Sequence, residues 1–432
     1  MALKNEKMSQ KMDNIISLNC IICGNHYRPD EVDYVCPQHG DEGVLDVQYD
    51  YDFIRGQIDK EALLRSKDLT IWRYKPFLPV HPDAKVPPLS VGWTPLYHIP
   101  FLAAELGLNH VYVKDDGRQP TASLKDRASA IAVVKAREKN TEIITTASTG
   151  NAAAALSGIC ASIQQPNVIF VPETTPQAKV AQLLVFGSRV ILVKGTYDDA
   201  FELCLKAAKT YDWYNRNTGY NPYMTEGKKT AAFEICEQLG WNAPDRIFVS
   251  VGDGCIIGGL HKGLKDLMAL GWIDKMPKLM GVQAAGSSYM YTAWKNGEDI
   301  LTKPPVNPQT VADSISAGLP RDRIKAMAAV KKTDGAYLSV ADDDILRAIP
   351  ELARGAGVFS EPAGAASYAG LVKAVDQRMV SKEETIVVLN TGNGLKDVAG
   401  AMKAVDLVQT IPSRVSPDLA ALKQVVAGWG KK

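Results

Sequence analysis

An α/β fold built on a mostly parallel sheet is predicted by three features of the chain. From about residue 110 short β-branched runs alternate with segments of helical periodicity, turn residues bound the runs, and no internal repeat or low-complexity tract interrupts them. VYVKDD precedes a helix from Ser123, EIITTA one from Asn151, NVIFVP one from Pro176, and RVILVKG the helical segment YDDAFELCLKAAKTY. Strand and helix in strict succession imply right-handed crossovers between parallel strands. After an irregular Asn/Tyr/Gly stretch at 214–223, EGKKTAAFEICEQLG reads as helix, RIFVSV as strand, then a Gly-rich turn and a helix, and KLMGVQAA as strand. DDDILRAIPELARGAGV and PAGAASYAGLVKAV close the pattern as helices, and TIVVLN is a strand entering another Gly-rich turn.

The 432 residues carry 49 Lys plus Arg against 48 Asp plus Glu, a formal charge of +1, so the basic field that binds nucleic acid or an acidic membrane surface is missing. With 46% hydrophobic and 22% charged residues the chain can bury a large core. No apolar run approaches the roughly 18 residues of a membrane span, and MALKNEKMSQKMDNII lacks the apolar core of a signal peptide, so a cytoplasmic location is expected. Seven cysteines, an odd number in a long chain, argue against a disulfide scaffold. Cys20 and Cys23 form a C-x-x-C, and Cys36 and His39 a C-x-x-H, a spacing that suits four ligands around a tetrahedral Zn²⁺. A ribbon with free thiols is the alternative. Residues 1–75 are read as an accessory module, followed by a proline-rich linker, KPFLPVHPDAKVPPLSVGWTPL.

Ligands of an open α/β sheet lie beyond the carboxyl ends of its strands, which directs attention to four loops. In VGDGCIIGG, glycines at 252, 254, 258 and 259 let backbone N–H groups approach an anion at a helix start, forming a phosphate cup. A dinucleotide site would need an acidic residue at the end of the next strand, where Gln283, Ala284 and Ala285 stand, so a single phosphate is expected. In PTASLKDRAS, Ser123 is a candidate N-cap that puts Lys125 in the first helical turn. There the helix dipole opposes an ammonium and favours the neutral amine that a Schiff-base lysine needs; a solvated surface lysine is the bland alternative. In ASTGNAAAALSG, Ser148, Thr149, Gly150 and Asn151 open another helix, where hydroxyls and N–H groups suit a carboxylate and Asn151 can donate to a phenolate-type oxygen. The same four residues also make a good capping sequence.

Taken in order, S-x-K-D-R, A-S-T-G-N, the Gly-rich cup, V-F-S-E-P-A-G-A-A-S at 358–367 and L-N-T-G-N-G-L-K-D at 389–397 resemble the pyridoxal-phosphate enzymes of the tryptophan-synthase-β fold, fold type II. Within that fold the likeness is to threonine synthases. It runs nearly end to end, through the cysteine ribbon, IWRYKPFLPV, N-P-Y-x-x-E-G-x-K-T-A-A-F-E at 221–234 and G-V-Q-A-A-G at 281–286. The resemblance implies pyridoxal 5′-phosphate as cofactor, Lys125 as its Schiff-base lysine and proton shuttle, and Asn151 on its phenolic oxygen. It further implies a phosphate cup of Gly252, Asp253, Gly254, Cys255 and Ile256, and Thr391 opposite the pyridine nitrogen, where a hydroxyl leaves the ring a weaker electron sink than an aspartate would. Ser148, Thr149 and Gly150 would take the α-carboxylate of a small amino-acid substrate. The implied reaction turns O-phosphohomoserine and water into threonine and phosphate.

Two departures bear on the substrate. The cup reads Gly-Asp-Gly-Cys-Ile where the family has G-N-x-G-N, and Met224 stands where the family carries an arginine that clamps the substrate phosphate. A thioether does not replace a guanidinium fork, so Lys228 or Lys229 is expected to serve as a point charge. If neither reaches the site, a β-eliminating ammonia-lyase or dehydratase, or a β-replacement enzyme, is the alternative; a non-catalytic binding or regulatory module is the third reading. Cys160, Cys204 and Cys236 are expected in the core. The resemblance puts Glu361 near the active-site loops, while E-P also suits the end of a turn before a helix. The expected architecture is a small α/β domain (128–227) inserted in a large one (76–127 and 228–432), closing on the cofactor. A homodimer is expected by likeness.

Overall fold

The computed structural model describes residues 12–409 and 412–429, so the reading of the amino-terminal segment as no signal peptide falls largely on residues outside the description. Three sheets organise the chain. The first is antiparallel and belongs to the cysteine ribbon: β1 (Ile15–Cys20) lies between β2 (His26–Tyr27) and β3 (Leu45–Tyr49). The second begins with β4 (Leu96–His98) and β5 (His110–Asp115). The chain then leaves it to build the third from β6 (Ile144–Ala147), β7 (Asn167–Pro172), β8 (Arg189–Val193) and β9 (Tyr214–Asn215). It returns with β10 (Arg246–Ser250), β11 (Lys278–Ala284), β12 (Ala336–Val340) and β13 (Thr385–Asn390).

The large sheet has the order β12-β11-β10-β13-β5-β4, parallel except for β4, and the small sheet the order β8-β7-β6-β9, parallel throughout. Parallel strands covered by helices on both faces read as unbroken apolar runs, and β6, β7 and the last five residues of β13 are buried at every position. The edge strand β8 departs from this, with Ile191 and Leu192 exposed. The ribbon is not a detached bead, because Leu18, Leu45 and Val47 share one apolar cluster with Ile131, Leu156 and Val249. Among the described residues no helix is long and apolar enough to cross a membrane.

Three details differ from the sequence-based expectation. The stretch at 214–223 is not wholly irregular, since Tyr214 and Asn215 form β9 by pairing with β6, a contact too short to leave a periodic signal. The helix expected over EGKKTAAFEICEQLG starts earlier and divides into Tyr223–Lys228 and Thr230–Gln238. Ser123 is no N-cap: Leu124 holds that position and the buried Ser123 hydroxyl has no partner among the described residues.

A fully buried ionic network fixes the helix Lys125–Glu138 to the large sheet. The Arg127 guanidinium forks onto Asp116, with Nε–Oδ2 at 2.7 Å and a second bond to Oδ1 at 2.8 Å. It also donates to Glu234, whose carboxylate lies 2.6 Å from the Lys114 ammonium of β5. Asp126, the neighbour of Arg127, accepts the N–H and hydroxyl of Thr121. The K-D-R triplet is therefore an anchoring device for the residue that precedes it.

Candidate active site

Lys125 opens its helix at the floor of a cavity of about 670 Å³ between the two parallel sheets. Its loop is stitched to the end of β13, where the Leu124 N–H donates to the Thr391 carbonyl at 3.0 Å and Ser123 bridges Gly392. The Lys125 amine forms neither a hydrogen bond nor an ion pair among the described residues. Burial lowers its pKa, and the nearby Arg216 lowers it further against the opposing pull of Glu361. Burial thus eases the loss of the ammonium proton in a concave site.

The Gly-rich loop after β10 brings a helix N-terminus to the same cavity. Gly254 is the N-cap of the 15-residue helix Cys255–Ala269 and adopts φ 89°, the left-handed region open to glycine; no side chain caps the helix. The loop is backed by the helix Arg323–Lys332, so tightly that a Cβ on Gly254 would sit 2.5 Å from Cβ of Ala326. Asp253 projects its Oδ1 to the Arg321 N–H at 3.3 Å, so its carboxylate is engaged by backbone. Ser250, at the end of β10, turns a buried hydroxyl without a protein partner to the cavity.

Ser148, Thr149, Gly150 and Asn151 line the wall at the end of β6, and Thr391 that at the end of β13. The Asn151 amide donates to Glu361 Oε1 at 2.7 Å. Glu361 is buried on the cavity wall rather than merely closing a turn, and burial pushes its carboxyl up to about 7, partly offset by Lys125. The resemblance puts Glu361 near the active-site loops, but E-P before a helix gives no sign of its burial.

Met224 lies in the apolar core, fully buried and off the cavity wall. Lys228 and Lys229 part company: Lys228 lines the cavity, whereas Lys229 pairs with Glu226 and Asp266 at 2.6 and 2.7 Å. Beside Lys228 stands Arg216, which sequence reasoning missed within N-R-N-T-G-Y-N-P. Its guanidinium is buried and, among the described residues, donates only to the hydroxyls of Ser129 and Thr218 and to the Lys125 carbonyl. Neither Arg216 nor Lys228 has an ion-pair partner among the described residues, and burial lowers them to about 10 and about 8. Cys160, Cys204, Cys236 and Cys255 are all buried, the first three on helices as expected.

A buried lysine, an uncapped helix N-terminus and paired cations, gathered at the carboxyl ends of parallel strands, define a catalyst that holds anionic ligands beside an amine. The signature of the pyridoxal-phosphate dependent enzymes matches residues 88–392, and the chain belongs to that family. Its likeness there is to threonine synthases: that of Methanocaldococcus jannaschii is 38% identical over 409 residues, 94% of this chain and 98% of that protein. That of Methanosarcina acetivorans is 38% identical over 415 residues, 96% of this chain and 99% of that protein. Among solved structures, the processed threonine deaminase isoform 2 of Solanum lycopersicum superposes with a TM-score of 0.63 at 25% identity, covering 73% of this chain and 83% of that one. The protein is thus a threonine synthase-like, pyridoxal-phosphate dependent lyase of fold type II. The site fits the cofactor, since the unpartnered Ser250 hydroxyl and the open helix end suit its phosphate and the unpaired Lys125 amine suits its aldehyde.

Proposed function

We propose that the enzyme converts O-phosphohomoserine and water to threonine and phosphate. Arg216 and Lys228 carry this reading: two cations buried in one cavity wall, with no ion-pair partner among the described residues, carry a desolvation cost that a bound phosphate offsets. The guanidinium missing at Met224 is supplied eight residues earlier in the chain, and Lys228 adds a point charge.

Gly252, Asp253, Gly254, Cys255 and Ile256 would hold the cofactor phosphate through backbone N–H groups, Lys125 its aldehyde carbon, Asn151 its phenolic oxygen and Thr391 its ring nitrogen. When bound, the cofactor supplies an electron sink for charge developing at the substrate carbons. Ser148, Thr149 and Gly150 take the substrate carboxylate at the start of the helix Asn151–Ala161. Lys125 accepts the proton from Cα and returns protons later in the sequence. After a second proton leaves Cβ, phosphate departs from Cγ onto Arg216 and Lys228 and a proton returns at Cγ; water then delivers its hydroxyl to Cβ, its remaining proton going to the released phosphate, and a proton returns at Cα last.

The division into a large domain (76–127 and 228–432) and a small one (128–227) belongs to the same proposal, with closure on substrate excluding water from the carbanion. Equal domain separations in free and liganded enzyme would overturn closure. A cytoplasmic homodimer completes the reading; light scattering tests the dimer.

The deciding experiment follows the cofactor absorbance during titration with O-phosphohomoserine while phosphate and threonine are assayed. Equimolar release of both is expected. A band that ignores O-phosphohomoserine but shifts with serine, threonine, diaminopropionate or phosphoserine would move the enzyme to β-elimination or β-replacement.

A further inference from the structure

The ribbon at Cys20, Cys23, Cys36 and His39 lies outside the chemistry just described, yet its four ligand atoms converge within 4.8 Å of one another. Two knuckles of one design bring them there. The Gly24 N–H closes on the Cys20 carbonyl at 2.9 Å, and the Gly40 N–H on the Cys36 carbonyl at 3.0 Å. Both glycines take positive φ, 75° and 53°, so each knuckle turns back immediately after its second ligand. The resulting separations are Cys20 Sγ to His39 Nδ1 3.7 Å, Cys36 Sγ to His39 Nδ1 3.5 Å and Cys23 Sγ to Cys36 Sγ 3.9 Å. Metal–sulfur bonds of about 2.3 Å give a regular tetrahedron with edges of about 3.8 Å. The sulfurs are far beyond the roughly 2.05 Å of a disulfide. The Tyr27 hydroxyl lies 3.1 Å from Cys36 Sγ, an outer partner of the kind that orients a metal ligand.

The ribbon also touches the cofactor loop through a single helix. Cys20 pairs in register with Leu45, whose carbonyl accepts the Lys325 ammonium at 2.8 Å. Glu42, three residues after His39, pairs with Arg323. Both cations belong to the helix Arg323–Lys332, and Asp322, just before it, donates its N–H to the Asp253 carbonyl at 2.9 Å.

We infer that Cys20, Cys23, Cys36 and His39 bind one structural Zn²⁺, and that the metal-held ribbon positions the Arg323–Lys332 helix that backs the Gly252–Ile256 loop. Three thiolates and an imidazole in a closed tetrahedron favour zinc over hard cations. The ion is a positioning element, remote from the reacting atoms.

Metal analysis of holoenzyme purified without chelator is expected to give one zinc per chain. Exchange with Co²⁺ should give the thiolate charge-transfer and visible bands of a tetrahedral site. Cys23→Ser, at an exposed ligand, should lose those bands, and Tyr27→Phe should weaken metal binding by about tenfold or more. Glu42→Gln should keep the metal but weaken cofactor binding, read by absorbance titration, by about fivefold. Chelated wild-type protein should show the same weakening, which keeps the test independent of any variant that misfolds. Wild-type enzyme made with zinc present but holding almost none, or keeping its metal bands after Cys23→Ser, overturns the site. Cofactor affinity unchanged in the chelated protein and in Glu42→Gln overturns the positioning role.

Discussion

Asn151 and Glu361 meet across the cleft, amide to carboxylate at 2.7 Å, joining the helix that follows β6 to the one that precedes β13. Glu361 is thereby held on the cavity wall with its carboxyl raised from 4.5 to about 7, chiefly by burial. A carboxyl raised on folding binds its proton more tightly in the native state, so its contribution is full below pH 4.5 and is lost as pH rises to about 7. Glu361→Gln removes that penalty. The variant is expected to gain on wild type by up to about 3 kcal/mol at pH 8, with the gap closing towards pH 4.5. Denaturant titrations of both proteins at several pH values check this, and a constant gap would refute it. The kcat/KM profile of the variant should also lose an inflection near pH 7.

Lys228 sets a second pH limit. Burial lowers it to about 8, so the ammonium proposed to meet the substrate phosphate is present below that pH and fades above it. kcat/KM for O-phosphohomoserine should therefore fall above pH 8. Lys228→Met should lower it by about 10- to 100-fold at pH 7 and flatten this limb, since a hydrogen bond to a charged group contributes about 1.5–3 kcal/mol. Arg216→Met should act in the same direction. A normal KM for substrate and an unchanged inhibition constant for phosphate in both variants would exclude them from the phosphate site.

The contrast between Lys228 and Lys229 marks how far the sequence is legible. Adjacent in the chain and alike in chemistry, they diverge because one helical step rotates the side chain by about 100°, towards the cavity in one case and onto Glu226 and Asp266 in the other. Continuous apolar runs announced β5, β6, β7, β10, β11 and β13, and Gly- and Ser-rich ends announced the loops beyond them. β9, two residues long, left no period to read, and β4 and β12 passed unnoticed. Lys125, Asn151 and the glycine cup stood out because special backbone is written as special residues. Arg216 did not: its meaning lies in burial with no ion-pair partner among the described residues, which depends on what the tertiary fold leaves out. Glu361 is placed near the active-site loops by likeness alone, and its burial depends on the same tertiary context.

The Arg127 network links stability to the site. Arg127, Asp116, Glu234 and Lys114 are fully buried, and removing one partner strands the others as uncompensated charge. Arg127→Met is expected to cost about 3–5 kcal/mol in urea unfolding, although Lys125 itself is untouched. Glu234→Gln should also destabilise, as it leaves Lys114 and half of the guanidinium without a counter-charge. A loss below about 1 kcal/mol in both would mean that water or a rearranged carboxylate repairs the network.

Gly227 tests whether the T-E-G-K segment is there for close packing. In an open helix, glycine to alanine gains about 1 kcal/mol in propensity. Here the helices Tyr223–Lys228 and Lys125–Glu138 touch backbone to backbone: a Cβ on Gly227 would lie 2.2 Å from the Arg127 carbonyl oxygen and 2.6 Å from its carbon. Neither atom can rotate away, so the helices must separate. That movement pulls on Arg127 and, two residues earlier, on Lys125, while shifting Lys228 on the opposite side of the contact. Gly227→Ala should therefore destabilise the fold by about 1–3 kcal/mol, reversing the propensity gain. It should also weaken cofactor binding and raise KM for the phosphorylated substrate. A variant as stable as wild type with unchanged cofactor absorbance would show that the two helices are not held at this distance in solution.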